Sequence, residues 1–390
     1  MNKYNTKLGQ LLSLLERPRF EKCVKATGAD KHCKGFSAWQ QFVTMAYAQI
    51  ANPHGLRSLE NSLNANKTCL YHLGVQKDVK RTTISYANNA GKPEVFEKLF
   101  YSLSSALDRN GRKKFRKDFY GIDATELSLK LHDFPWATFR STKSGVKIHL
   151  TYDINNSLPK YLFITNANEH ENNTLKEMNI AKGCMVTFDK GYCNYAVFGD
   201  FCRNKIFFVT RLKENAQYRV IEEHESRNKY ITLDRTIEFT GMQTGRKCPF
   251  PLRVIKSVDE KTGKEITILT NIFNLTAGYI AGMYRARWNI EIFFKTIKQN
   301  LRIKKFFGRT ENAVKTQIWI ALTVYLLYMK LRQLCIYRGK NFTNFMSELK
   351  VCLFERKDLF EFTGACGIYS PTAGSALIHR LYFASKYRAP

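Results

Sequence analysis

Acid is what this chain of 390 residues has too little of: 33 Asp and Glu stand against 62 Lys and Arg, a formal charge of +29. Such an excess repels itself in the folded state and calls for a polyanionic partner, because neutralising phosphates releases condensed counterions. A long apolar run is also missing. The strongest, Ile318 to Met329, is about half of the roughly 20 residues that a membrane-spanning helix needs. The N-terminal "MNKYNTKLGQLLSLLERP" has charges inside its apolar stretch and no small-residue cleavage site, so it does not read as a signal peptide. Ten cysteines are present, but no CxxC and no Cys–His set at zinc spacing, which argues against a zinc finger or a disulfide framework. Reduced, mostly buried thiols are the expectation. No internal repeat or low-complexity segment stands out. What is there is a real core: 44% hydrophobic and 13% aromatic residues exclude a disordered basic tail, and the length allows one large or two to three ordinary domains.

Residues 1 to about 107 read as helical, with apolar residues at three- and four-residue spacing in "GFSAWQQFVTMAYAQI" and "PEVFEKLFYSLSSAL". Between them, "GLRSLENSLNAN", a short connector with Gly74, and "KRTTISYANNAG" resemble two helices joined by a tight turn, the second capped by Thr82 or Thr83. Two interpretations stand level. The pair is a helix-turn-helix offering Arg81, Thr82, Thr83, Ser85 and Asn88 to DNA, or it belongs to a plain helical bundle with a polar face. After the basic run Arg109 to Asp118, "FYGIDATELSLKL", "GVKIHLTYD" and "PKYLFITNA" read as consecutive strands. A helical stretch near Thr174 to Ala181, the strand "CMVTFD", the helix "CNYAVFGDFCRN" and the strand "IFFVTRL" follow. This order is mixed α/β. From about Lys213 to Asn274 strand-like segments with turn signals form a β-rich insertion.

Asp123 and Asp189 fall at the ends of the first and fourth strands, the edge where α/β sheets bind ligands. An isolated Asp there is more often a turn former; the pair gains meaning from the helix that follows the insertion. From Arg285 to Arg309 eight Lys or Arg accompany one acid, Glu291. At about 100° per residue, Tyr284, Arg287, Glu291 and Lys298 share one stripe, while Ile290, Phe293, Ile297 and Leu301 take another side. A solvated ion-pair face, with Glu291 and Lys295 as one i,i+4 pair, is the plain alternative; it is worth only a few tenths of a kcal/mol and leaves the four-turn alignment unexplained.

Tyr284-x2-Arg287-x3-Glu291-x6-Lys298 resembles the YREK signature of bacterial DDE transposases of the insertion-sequence-four group. "GIDAT" and "TFDKGY" resemble the blocks around that family's first and second catalytic Asp. The resemblance runs from about residue 118 to 335, and more loosely through the N-terminal helices. It implies an RNase H-like mixed sheet flanked by helices, interrupted by the β-rich insertion, with an N-terminal helical domain. The expected division is 1–107 helical and DNA-binding, 108–212 first part of the catalytic core, 213–275 strand insertion, 276–345 second part of the core, and 346–390 a C-terminal segment. It further implies metal-dependent DNA cleavage and strand transfer at the ends of an insertion element. Asp123, Asp189 and Glu291 would hold two Mg²⁺ (or Mn²⁺) ions, a choice that fits hard cations preferring carboxylate oxygens. Tyr284, Arg287 and Lys298 would contact DNA phosphates. The implied partners are the terminal inverted repeats and target DNA, with no membrane and with a homodimer in the synaptic complex. The implied location is cytoplasmic, at the bacterial nucleoid.

The chain departs from the resemblance at one point. The four Trp are residues 39, 136, 288 and 319, so the insertion holds no Trp to stack on a flipped base, and excision through hairpin ends is an expectation of the resemblance alone. Tyr230, Phe239 or Phe250 could substitute, although each reads first as core. Trp288, near the stripe, could contact DNA but reads first as buried; Lys147 and His149 share one strand face, where His149 could touch substrate, and read first as an ordinary strand surface. A catalytically inactive descendant acting as a sequence-specific DNA-binding protein is the competing function; the intact acidic triad argues against it.

Overall fold

The computed structural model describes residues 5–75, 78–107, 115, 117–140, 143–167, 175, 178, 180–260, 262–334 and 341–359. The chain divides into two compact units, one made of Met1–Leu107 and Thr296–Pro390, the other of Asp108–Lys295. Helices α1 to α7 occupy Lys7–Ser13, Arg17–Thr27, Ala38–Ala51, Leu56–Ala65, Lys67–Tyr71, Arg81–Ala90 and Glu94–Leu107. Helices α8 to α13 occupy Tyr195–Arg203, Met242–Lys247, Ala277–Ala286, Trp288–Asn300, Glu311–Leu334 and Phe342–Cys352. Most of the basic run Arg109 to Asp118, and much of the helix expected near Thr174 to Ala181, lie outside the described residues.

Strands β1 to β10 occupy Phe119–Leu129, Thr138–Arg140, Lys143–Asp153, Leu158–Asn166, Met185–Phe188, Phe207–Arg211, Tyr218–Glu223, Ile231–Phe239, Leu252–Val258 and Glu265–Thr270. They make one ten-stranded sheet in the order β4–β3–β1–β5–β6–β10–β9–β8–β7, with the short β2 also on β3. The pairs β1–β3 and β3–β4 are antiparallel, while β1–β5 and β5–β6 are parallel. Every residue of β5, "MVTF", is buried, as a central parallel strand covered on both faces requires. A parallel pair cannot close through a hairpin, and α8 makes the crossover from β5 to β6. Asn194 caps α8, accepting the Ala196 N–H at 3.0 Å and so satisfying a donor that a helix start leaves open. Phe188, Phe198, Phe201 and Phe208 pack beneath; Phe198 stacks on Phe208 at 4.7 Å.

The β-rich insertion continues the same sheet. Its last strand, β10, pairs antiparallel with β6, Ile268 opposite Arg211 and Leu269 opposite Thr210. Inside it Arg253 and Asp234 make a bidentate ion pair, Nε–Oδ1 2.7 Å and Nη2–Oδ2 2.6 Å, and Arg253 Nη1 donates to the Leu275 carbonyl at 2.7 Å. Both side chains are nearly sealed from solvent, so the planar fork is matched where an unpaired charge would cost most. Phe239 is buried edge-on to Tyr195 at 4.9 Å, and Phe250 packs against the Phe198 cluster. Tyr230 stays half-buried with its hydroxyl on Glu260.

In the helical unit, α12 is 24 residues long and buried along nearly its whole length, against α7, α3 and α6. Its Trp319 meets Phe100 at 5.3 Å. The apolar run is therefore a core helix, and among the described residues no helix is long and apolar enough to cross a membrane. Arg302, 8% exposed, anchors to the segment after α3: Nη2 donates to the His54 carbonyl at 2.9 Å and Nη1 to Asn52 Oδ1 at 3.1 Å. Three expectations about this unit are corrected. The helices α4 and α6 are separated by α5 and flanking residues, where a helix-turn-helix has a turn of about 3–4 residues. The cap of α6 is Lys80, with no side-chain hydrogen bond, rather than Thr82 or Thr83. Asn88 is buried, accepting from Gln41 at 2.9 Å and reaching Met45 sulfur at 3.4 Å, because the apolar face of α6 turns it into the bundle.

Candidate active site

The pairing of β1 with β5 ends at Ile122 opposite Phe188. The next residue on each strand is an aspartate, Asp123 and Asp189, so strand spacing of about 4.8 Å sets them side by side. Asp189 keeps the extended direction of its strand, at φ −77° and ψ 164°. Just before it, Thr210 Oγ1 donates to the Phe188 carbonyl at 2.9 Å and fixes the strand end. Contrary to expectation, β1 does not stop at Asp123. It runs on to Leu129 paired only with β3, and the crevice opens because β5 stops first. The β5–β6 register, Thr187 opposite Val209, carries forward to place Arg211 beside Asp189. Arg211 was not singled out from the sequence, yet it is the last residue of β6; the strand-end logic that found both aspartates would have found it.

The helix expected to carry the stripe is two helices. Helix α10 ends at Ala286 and α11 begins at Trp288, with Arg287 between them. Around Arg287 the bonds tighten to i→i−3: the Arg287 N–H donates to the Tyr284 carbonyl at 3.1 Å, and the Ile290 N–H donates to the Arg287 carbonyl at 3.0 Å. That 3₁₀ geometry turns the chain faster than 100° per residue and swings the guanidinium inward. Arg287 Nη2 stands 2.7 Å from Glu291 Oε1 and Nη1 3.9 Å from Asp123 Oδ2, with the Arg287 side chain 9% exposed. The ion pair of Glu291 is thus with Arg287, four residues back. Asp123 Oδ1 accepts the Ala124 N–H at 2.8 Å. The Tyr284 hydroxyl, on a ring 4% exposed, donates to Asp189 Oδ1 at 3.4 Å, a long and weak bond. Packing holds the ensemble: Ile290 and Phe293 are buried, Phe293 against Tyr152 at 5.2 Å.

Burial raises the Tyr284 phenol above its ordinary value, with the Asp189 charge adding to it against Arg287 and Arg211. Burial opposes the charge on Arg287, but Tyr284, Glu291 and Asp189 outweigh it. His149, opposite Ala124 on β3, is buried rather than on a strand surface. Its ring stacks on Phe163 at 4.7 Å with Nε2 2.9 Å from Thr165 Oγ1, and burial, helped by Lys147, pushes its pKa down to about 4.

As they stand, no three His, Cys, Asp or Glu among the described residues converge as a metal cage; the carboxylates meet through Arg287 and Tyr284. The donor set nevertheless suits a hard divalent cation, being carboxylate oxygen throughout. Arg287 Nε finds no hydrogen-bond partner among the described residues, so the guanidinium is held by charge more than by a complete set of bonds. Of the expected DNA-contact residues, Arg287 and Tyr284 are buried, and Lys298 is half-buried in the last turn of α11. Arg81 and Thr82 are exposed and Thr83 half-buried at the start of α6. Trp288, expected in the core, is 58% exposed, as is Ile292 one turn on; the tightened turn that buries Arg287 puts its neighbour outside.

Residues 114–327 match the family described as Transposase DDE domain, and residues 3–76 match a domain of unknown function. A putative transposase of Sinorhizobium fredii is 33% identical over 277 residues, 70% of this chain and 77% of that protein. A probable transposase for an insertion sequence element of Geobacillus stearothermophilus is 28% identical over 60% of this chain and 62% of its own length. A putative transposase for an insertion sequence element of Synechocystis is 24% identical over 69% and 77%. Among solved structures, a chain of the piggyBac transposase synaptic complex with hairpin DNA aligns with TM-score 0.48 and 12% identity, over 97% of this chain and 86% of that one. With more than half its length matched, the chain belongs to the transposase DDE domain family, DNA-binding enzymes that cut and join phosphodiester bonds with divalent metal.

Proposed function

We propose that Asp123, Asp189 and Glu291 are the catalytic carboxylates of a transposase that cuts at the ends of an insertion element and joins the freed 3′-hydroxyls to target DNA. The register carries this reading: the two aspartates emerge side by side where β5 ends, and Arg287 links Glu291 to Asp123. The three side chains would hold two Mg²⁺ or Mn²⁺ ions. When bound, such ions polarise the phosphoryl oxygen and activate the attacking and stabilise the leaving oxygen. Asp123 and Asp189 supply fixed negative charge from a rigid sheet. Glu291 completes the set from a helix, and Arg287 neutralises the cluster and orients Glu291. Tyr284 positions Asp189. Arg211 lies in line with the aspartates and, with Lys298, would take phosphate oxygens beside the cut as cations do in such sites. Trp288 offers an exposed flat ring to an unstacked base. Arg81, Thr82 and Thr83 would meet DNA from α6, and a homodimer would bridge two element ends.

Glu291→Ala should lower Mn²⁺-dependent nicking of the terminal repeats by at least about 10³-fold, roughly 4 kcal/mol of transition-state stabilisation, with end binding in gel shift within about threefold of wild type. Nicking by Glu291→Ala at the wild-type rate would remove Glu291 from the chemistry.

A further inference from the structure

Helix α8 and the segment that follows α9 meet at a pair of thiols. Cys202 lies half-buried in the last turn of α8, and Cys248, just past α9, is 1% exposed. The approach is close because Gly199 has no side chain: a Cβ there would stand 2.4 Å from the Lys247 carbonyl oxygen. Gly199 and Cys202 are three residues apart on one helix face, so the chain that crowds Gly199 delivers Cys248 to Cys202. Gly199 against Lys247 and Arg203 against Phe250 bracket the two cysteines, and so set their side chains facing each other. Asn271, following β10, fixes the first sulfur from the other side. Its amide donates to the Ile206 carbonyl at 2.8 Å and to Cys202 Sγ at 3.7 Å, while its oxygen accepts the Phe208 N–H at 2.9 Å. Arg203 lies over the Phe250 ring at 5.9 Å, so the same segment also runs past the end of α8.

We propose that Cys202 and Cys248 are a hydroperoxide-reactive thiol pair that closes to a disulfide tying α8 to the strand insertion. Cys202 is the nucleophile. It is the more exposed of the two sulfurs and accepts from the Asn271 amide at 3.7 Å; the facing Cys248, then Asn271 and the charge of Arg203, lower its pKa against the effect of burial, and the thiolate is the reactive form. Cys248, 1% exposed, keeps its proton, because the facing Cys202 and burial both raise its pKa. Cys202 thiolate attacks one peroxide oxygen; an S–O bond forms, the O–O bond breaks, and the departing oxygen leaves as water or alcohol after taking a proton. The Cys248 sulfur then attacks the Cys202 sulfenic sulfur. An S–S bond forms, the S–O bond breaks, and hydroxide leaves with the Cys248 proton as water. Two thiols are oxidised and one peroxide is reduced. Cys193 does not compete: it is buried, donates to the Arg211 carbonyl at 3.4 Å, and burial pushes its pKa up to about 11.

The test is hydrogen peroxide treatment of the full chain, alkylation of remaining thiols, and non-reducing peptide mapping. The expected product is a peptide pair linked through Cys202 and Cys248, lighter by two hydrogens than the free pair and released by dithiothreitol. It should be absent in Cys202→Ser and unchanged in Cys33→Ser, which alters an exposed thiol. Sulfinate or sulfonate at Cys202 without the link, or another cysteine pair linking at least as fast, overturns the proposal. Should Cys202→Ser fail to fold, the wild-type and Cys33→Ser maps decide it alone.

Discussion

The two halves of the candidate site are held in place by different means. Asp123 and Asp189 are fixed by strand register: neighbouring parallel strands, a terminal threonine hydrogen bond and a sealed phenylalanine core leave their backbones no other place. Glu291 rides on a helix packed through Ile290 and Phe293, and its carboxylate is oriented by one side chain at a one-residue break between helices, through a contact of 2.7 Å to Arg287. The sheet half is rigid because its constraints are many and distributed. The helix half depends on a charge balance, and charge balance is what a divalent ion or a phosphate alters on arrival. One half is a template and the other an adjustable jaw.

The comparison can be broken most strongly from the sheet side, with acid. His149 sits one strand from Asp123 with its pKa lowered from 6.5 to about 4. The unfolded chain therefore takes the proton first as pH falls. The contribution is complete above about pH 6.5 and is lost progressively toward pH 4, worth about 3 kcal/mol at 1.36 kcal/mol per unit. Urea unfolding at pH 7 and pH 4 should show wild type losing about that much more than His149→Phe; equal losses would mean the ring is not sealed beside the site. The helix side is probed by Arg287→Met. We expect strand transfer to fall on the order of 100-fold, as misplaced catalytic groups do, and added Mn²⁺ to raise the melting temperature more than in wild type, since the ion replaces a lost counter-charge. A variant as active as wild type would make Glu291 independent of Arg287. The smallest effect is assigned to Trp288→Ala. Stability should stay within about 0.5 kcal/mol, as for exposed substitutions, while joining weakens by about 1–2 kcal/mol, the scale of one base–aromatic stack. A drop in melting temperature without loss of joining would return Trp288 to a packing role.

The two halves also differed in how far the sequence disclosed them. Asp123 and Asp189 were legible because a strand end leaves a local mark, an apolar burst followed at once by an acid. That mark says nothing about where a neighbouring strand stops, so β1 was cut short at Asp123. The helix stripe was drawn with a uniform turn per residue. The tightening at Arg287 is imposed by packing and by the carboxylates it faces, none of which is near in sequence, so a guanidinium assigned to phosphate proved buried and a Trp assigned to the core proved exposed. The tight turn expected between α4 and α6 failed for a simpler reason: the residues between them include a helix too short to declare itself by periodicity. That the insertion continues the sheet through β6 and β10 was likewise hidden, because strand partners are chosen across the fold.

Helix α12, buried in the helical unit, follows the whole of the other unit, Asp108–Lys295, in the chain. Residues 1–107 pack partly on one another, Phe42 against Phe96 among them, but the faces of α3, α6 and α7 that meet α12 are covered only once it exists. At a synthesis rate of about 5–20 residues per second, the N-terminal helices wait roughly 10–45 s for the helix that completes them, exposed to whatever binds unfinished chains. Glu291 emerges only shortly before. A chain stopped anywhere short of α12 therefore lacks a finished helical unit, and one stopped before Glu291 also lacks the third of the proposed carboxylates; the ribosome reaches the end of that proposed set and the centre of the helical core almost together. Premature termination yields fragments that keep much of the positive charge and none of the full cutting apparatus.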